Sequence, residues 1–181
     1  MVPNWIKNVC AQPSWWDEKA RWKQPGAVRV RDARFAVQTC GTALFAHRIS
    51  NDDEIAGIPG QMGTRAATWL RASTPLRVKS RALLEFLHNA DDAPAPNLPT
   101  SFMAFNASPV GIGPFLYNAR LMLAHLSAIE GEWPDEVRIG WTAKTKRAVL
   151  LATPAWRYIC MPILPREINC WRLEHFVRVR R

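Results

Sequence analysis

Residues 137–163 read VRIGWTAKTKRAVLLATPAWRYICMPI, and this stretch decides the fold class. Val137, Ile139 and Trp141 alternate with Arg138 and Gly140, the two-residue period of a strand with one face buried. The polar AKTK that follows has the composition of a hairpin tip, and RAVLLAT reads as the returning strand. AWRYICMPI continues as a third strand, bounded by Pro162 and Pro165. Consecutive strands joined by short connections predict an antiparallel sheet.

Working outward, the final segment sets Trp171, Leu173, Val177 and Val179 on one parity and Arg172, Arg178 and Arg180 on the other, as a further strand would. Upstream, SFMAFNAS reads as a strand, PVGIGP as a loop, and residues 115–130 as a helix. The expected class is α+β: a mostly antiparallel sheet with two or three helices, in β-α-β-β order in the C-terminal half. That order resembles RNA-recognition-type α+β folds, including those in subunits of RNA-guided effector complexes. The likeness is one of topology.

In the N-terminal half, residues 1–13 carry Pro3, Asn4 and Pro13 and read as an irregular arm. Residues 15–23 suit a short helix that ends at the Pro25–Gly26 turn, with Trp15 and Trp22 on one face as core anchors. VRVRDARFAV shifts its apolar parity near Asp32, which predicts a bulge or a tight turn between extended segments. TALFAHRI reads as a strand and SNDDEIAGIPGQMG as a long loop. Helices are predicted from Thr64 to Arg71 and, with Thr74 as cap and Pro75 in the first turn, through PLRVKSRALLEFLHNA. The Pro-rich residues 93–99 divide a basic, Trp-rich part, 1–92, from an α+β part, 100–181, within what can equally be one domain.

The chain has 181 residues, 48% of them hydrophobic, which is enough for a substantial core. Its formal charge of +9 favours polyanions. The basic residues form four clusters: Arg29, Arg31 and Arg34; Arg77, Lys79 and Arg81; Lys144, Lys146 and Arg147; Arg178, Arg180 and Arg181. Together they suggest an electropositive track that binds phosphates, with RNA or single-stranded DNA preferred because no double-helix reader motif is visible. The expected function is therefore non-catalytic nucleic-acid binding, in company with other protein subunits of a nucleoprotein assembly.

Two other readings stay open. A small nuclease would use His47, His125 or the carboxylates of Asp52, Asp53 and Glu54. An interaction protein would set its basic patches against acidic protein partners. His88 and His175 have no spacing signature, and NASPVGIGPFLYNAR lacks the third glycine of a dinucleotide fingerprint and the Gly-Lys-Ser/Thr of a phosphate loop. Cys10, Cys40, Cys160 and Cys170 form no Cys-x-x-Cys pair, so buried, reduced thiols are favoured over a zinc site. No cofactor, no metal and no membrane partner is expected, and the location expected is the cytoplasm.

Overall fold

A computed structural model describes residues 26–40, 43–58, 60–92, 109–113, 115–127, 129, 133–142 and 148–162. Three strands open it: β1 (Gly26–Val30), β2 (Ala33–Cys40) and β3 (Ala43–Ile49). The parity shift near Asp32 is a two-residue hairpin turn, since Val30 pairs with Ala33. Arg31 takes the left-handed conformation there, with φ 56°, at a position glycine usually occupies. Helix α1 (Gly60–Leu70) follows, starting one turn before the expected Thr64.

The next segment departs from the sequence reading. Leu76–Lys79 is strand β4, and helix α2 spans Ser80–Asp92. The apolar stripe of Leu83 and Leu87 does belong to that helix, whereas Val78 is buried as a strand residue paired with Val137. Tertiary pairing overrides the helical signal of Thr74 and Pro75. Ser80 fixes the strand-to-helix corner: its N–H donates to the Asp135 carbonyl at 2.9 Å and its hydroxyl donates to the Pro134 carbonyl.

The glycine-containing loop and the start of the following helix are likewise corrected. Pro109–Ile112 (β5) and Phe115–Asn118 (β6) form a separate antiparallel hairpin, and helix α3 spans only Ala119–Ser127. Gly113 turns the hairpin with φ +64°, and a Cβ there would come within 2.5 Å of Trp141 Cζ2. Asn118 caps α3, its Oδ1 accepting the Leu121 N–H at 3.2 Å.

The remaining strands are β7 (Glu136–Trp141), β8 (Val149–Ala152) and β9 (Trp156–Cys160). They join the earlier ones in a seven-stranded sheet of order β1-β2-β3-β9-β8-β7-β4, antiparallel at every pairing. The expected α+β class with a mostly antiparallel sheet is the class observed. Strands from both sides of residues 93–99 share this sheet, with β9 seated directly against β3.

Helices cover both faces of the sheet. On one, Phe45, Ile139, Leu151, Trp156 and Tyr158 pack with Leu83 and Leu87 of α2, Met122 and Leu126 of α3, and the β5–β6 hairpin. On the other, Phe35, Val37, Leu44, Leu150 and Ile159 pack with Ala66 and Leu70 of α1. Burial on both sides explains the near-continuous apolar runs of β3 and β8, each such side chain contributing about 1.5–3 kcal/mol. The Trp15–Trp22 helix, the strand expected in SFMAFNAS, the linker at 93–99, the AKTK tip and the C-terminal strand lie outside the described residues.

Candidate functional site: an arginine-lined cleft

Strand parity builds the site. On β4, β7, β8 and β9 the side chains of Val78, Ile139, Leu151 and Tyr158 enter the larger core. The alternate positions therefore bring Arg77, Arg138, Ala152 and Arg157 to the opposite face. Register aligns them, because Arg77 pairs with Arg138, Arg138 with Ala152, and Ala152 with Arg157. They form one row across four adjacent strands, about 14 Å long at the usual strand spacing. Among the described elements, helix α1 packs on the β1–β3 side of this face, and Arg77 and Arg138 at the other end of the row are exposed.

The row floors a cleft of about 440 Å³ whose walls also include Arg48, Phe35, Thr74 and Glu136. The short side chain of Ala152 leaves room between the guanidinium groups. Gly140 brings the Ser73–Thr74 backbone onto β7 at the rim, because any Cβ there would strike the Ser73 carbonyl. Arg48 is anchored through its backbone, its N–H donating to the Ala155 carbonyl at 2.7 Å, and its side chain is exposed.

Arg157 is the most constrained of the four. It donates from Nη1 to the Leu70 carbonyl at the end of α1, where a cation also complements the helix dipole. Its guanidinium carbon lies 5.3 Å from the centre of the Phe35 ring. Burial, and then the charge of Arg31, lowers its pKa, although an arginine stays protonated at any physiological pH. Glu136, the carboxylate in the lining, is paired with Lys79 at 3.3 Å.

The sequence-predicted basic residues separate on this framework. Arg77 lines the cleft, but Lys79 binds Glu136 and Arg81 binds Glu85 at 2.8 Å along α2. Arg29 is exposed on β1 and Arg31 occupies the hairpin turn. Arg34 serves the fold. It donates to the carbonyls of Asn51, Asp53 and Ile55 at 3.2, 2.6 and 2.7 Å, and so holds the acidic loop against β2. Lys144, Lys146, Arg147, Arg178, Arg180 and Arg181 lie outside the described residues. Sequence reasoning misses Arg48, Arg138 and Arg157. Their one signal is an arginine at an alternate position of an otherwise apolar strand, as in VRIGW and WRYIC.

The residues considered for catalysis are differently placed. His125 is buried between Phe45 and Tyr158, its Nδ1 lying 3.0 Å from the Tyr158 hydroxyl. Asp53 accepts the Ser50 N–H at 2.8 Å within its own turn. Among the described residues no group of three His, Cys, Asp or Glu side chains is placed to hold a metal ion. Cys160 is buried, and burial pushes its thiol up to about 12 against the opposing hydrogen bond from Tyr158. No described helix is long and apolar enough to cross a membrane.

No protein-family model matches the sequence, and no curated protein does. Solved structures do match. The beta chain of DNA polymerase III from Streptococcus pneumoniae aligns over 92% of this chain and 63% of its own, at 9% identity and a TM-score of 0.54. The beta subunit from Thermotoga maritima aligns over 91% and 63% at 12% identity with a TM-score of 0.47. The Bacillus subtilis DNA polymerase sliding clamp aligns over 90% and 63% at 13% identity with a TM-score of 0.46. The chain thus spans 63% of the length of these proteins. This overturns the expectation of a non-catalytic RNA- or single-stranded-DNA-binding subunit of a nucleoprotein complex: the fold is similar to that of the polymerase III beta chain.

Proposed function

We propose that this chain is a clamp-like scaffold that works at DNA by assembling with protein partners and further copies of itself. The observation that supports this most is the fold likeness to the polymerase III beta chain along 92% of the chain. A clamp that slides must stay on DNA without reading bases, so its hold comes from enclosure and assembly rather than from a track of phosphate contacts. On this reading the parts 1–92 and 100–181 act as one unit, since the β3–β9 pairing ties them together. Among the described strands β4 is last in the sheet order, and a second copy could pair along it. Arg29 and Arg31, with Lys144, Lys146, Arg147, Arg178, Arg180 and Arg181, are the cations we assign to the DNA side. Arg34, Lys79 and Arg81 are engaged within the fold. A soluble, cytoplasmic protein is the corresponding setting.

The test separates enclosure from surface contact. Light scattering should give a mass that is a multiple of the 20.5 kDa chain. Protein assembled on nicked circular duplex should be retained through gel filtration and shed when the circle is cut once. A monomer that binds linear and circular DNA alike would break the reading.

A further inference from the structure

We propose that the arginine-lined cleft is a binding site for an oligophosphate, a small ligand carrying two or three linked phosphate groups. This goes beyond the clamp reading and does not rest on it. The starting point is a contrast within one ladder. Lys79 and Glu136 face each other across β4 and β7 as an ion pair at 3.3 Å. Two residues along, on the same face, the same strands oppose Arg77 to Arg138. Like charges directly opposite on adjacent strands destabilise a sheet unless something of opposite sign lies between them. No carboxylate among the described residues serves that purpose, because Glu136 already serves Lys79.

Arg157 and Arg48 add two further cations to the same cleft, which therefore holds four arginines against one neutralised glutamate. Arginine suits this role better than lysine because its planar fork pairs two N–H groups with two phosphate oxygens. The bond to the Leu70 carbonyl and the stacking on Phe35 fix Arg157 before any ligand arrives, which lowers the ordering cost of binding.

Size and shape select a compact ligand. A volume of about 440 Å³ lies within the range of small-molecule sites. Four arginines line this one cleft, so a ligand that meets several of them must carry several negative charges close together. Linked phosphates do this, whether free or carried by a nucleoside.

Isothermal titration with inorganic tripolyphosphate and with a nucleoside triphosphate tests the proposal, at about 0.15 M ionic strength so that diffuse surface attraction is screened. Saturable binding of one ligand per chain is expected. Equal affinity for both ligands would identify the phosphates alone as the determinant, and tighter nucleoside triphosphate would add a contact of the nucleoside with the cleft wall. Joint replacement Arg77→Ala and Arg138→Ala should weaken binding by roughly tenfold or more. Arg77→Lys with Arg138→Lys should fall between the two, and Arg81→Ala, outside the cleft on α2, should bind as the parent does. Absence of saturable binding to either ligand would overturn the proposal. So would an equal loss in Arg81→Ala, which would mean a diffuse field, or binding to duplex DNA alone. None of these outcomes depends on ring assembly, so failure here and failure of the clamp reading are distinct.

Discussion

The two faces of the seven-stranded sheet are made by the same strands and differ in chemistry at the β4–β7 end. Beneath α2 and α3, Trp156, Tyr158, Ile139 and Leu151 are almost wholly excluded from solvent, and Trp133 meets Trp156 edge-on at 5.1 Å between ring centres. Under α1 the β1–β3 side is equally apolar, but on β4, β7, β8 and β9 the same parity carries Arg77, Arg138, Ala152 and Arg157. One face is closed by α2 and α3, and among the described residues the other is closed by α1 on its β1–β3 side. On β4 and β7 apolar core positions and charged positions are thus separated by a single residue step.

The sharpest way to break this division is to perturb neighbours of opposite parity. Trp156→Ala should cost about 3–5 kcal/mol in a denaturant titration, because it empties the centre of the closed face. Loss of less than about 1 kcal/mol would mean that this face is not the core. The same face sets the alkaline limit. The folded state holds the Cys160 proton more tightly than the unfolded chain does, with about 12 against an ordinary 9.0. Stability from this group is therefore full below pH 9.0 and is lost as pH rises towards about 12. Cys160→Ala should flatten the fall in stability over that window, and an unchanged profile would assign the fall to other groups such as Tyr117, whose pKa burial also raises.

An intermediate effect is expected where an arginine serves the fold. Arg34 faces Arg29 directly across β1 and β2, another like-charge pair. Here the protein itself supplies the negative ends of three carbonyl dipoles, at 2.6 to 3.2 Å. Arg34→Ala should cost about 1–3 kcal/mol and make residues 50–55 the first site of limited proteolysis. Unchanged stability with an intact loop would show that the acidic turn holds itself.

How much of this was legible in the sequence depends on how local the signal is. Strands β7, β8 and β9 are readable because Val137, Ile139 and Trp141 alternate and because Leu150 and Leu151 sit in a short apolar run. Strand β4 is hidden, since Thr74, Pro75 and the leucine spacing imitate a helix start and only pairing with β7 reveals Leu76–Lys79 as extended. The β5–β6 hairpin hides in the same way behind Gly113 and a continuous apolar run into α3. The cleft is less legible still. Arg48, Arg77, Arg138 and Arg157 are far apart in sequence, and only the order of strands and their register makes them neighbours. Clusters judged by proximity in sequence lead instead to Lys79 and Arg81, which the fold pairs with Glu136 and Glu85.

The smallest expected effect is also the most specific to the open face, and its sign is unusual. An exposed arginine removed from a strand normally changes stability by no more than about 0.5 kcal/mol in either direction. Arg77 stands directly opposite Arg138, with no carboxylate of the described residues free to separate them. Removing it takes away a cross-strand repulsion, so Arg77→Ala should stabilise the unliganded protein by roughly 0.2–1 kcal/mol. The gain should shrink as salt is raised, because the Debye length falls from about 10 Å at 0.1 M to about 3 Å at 1 M. Lys79→Ala, two residues along the same strand, should behave in the opposite way, losing a little stability as its partner Glu136 is left alone. Thermal melts of the two variants at low and high salt therefore give opposite shifts that converge. A destabilised Arg77→Ala, or a shift that ignores salt, would mean that the Arg77–Arg138 pair is already neutralised within the fold and that the open face is not held ready for an anion.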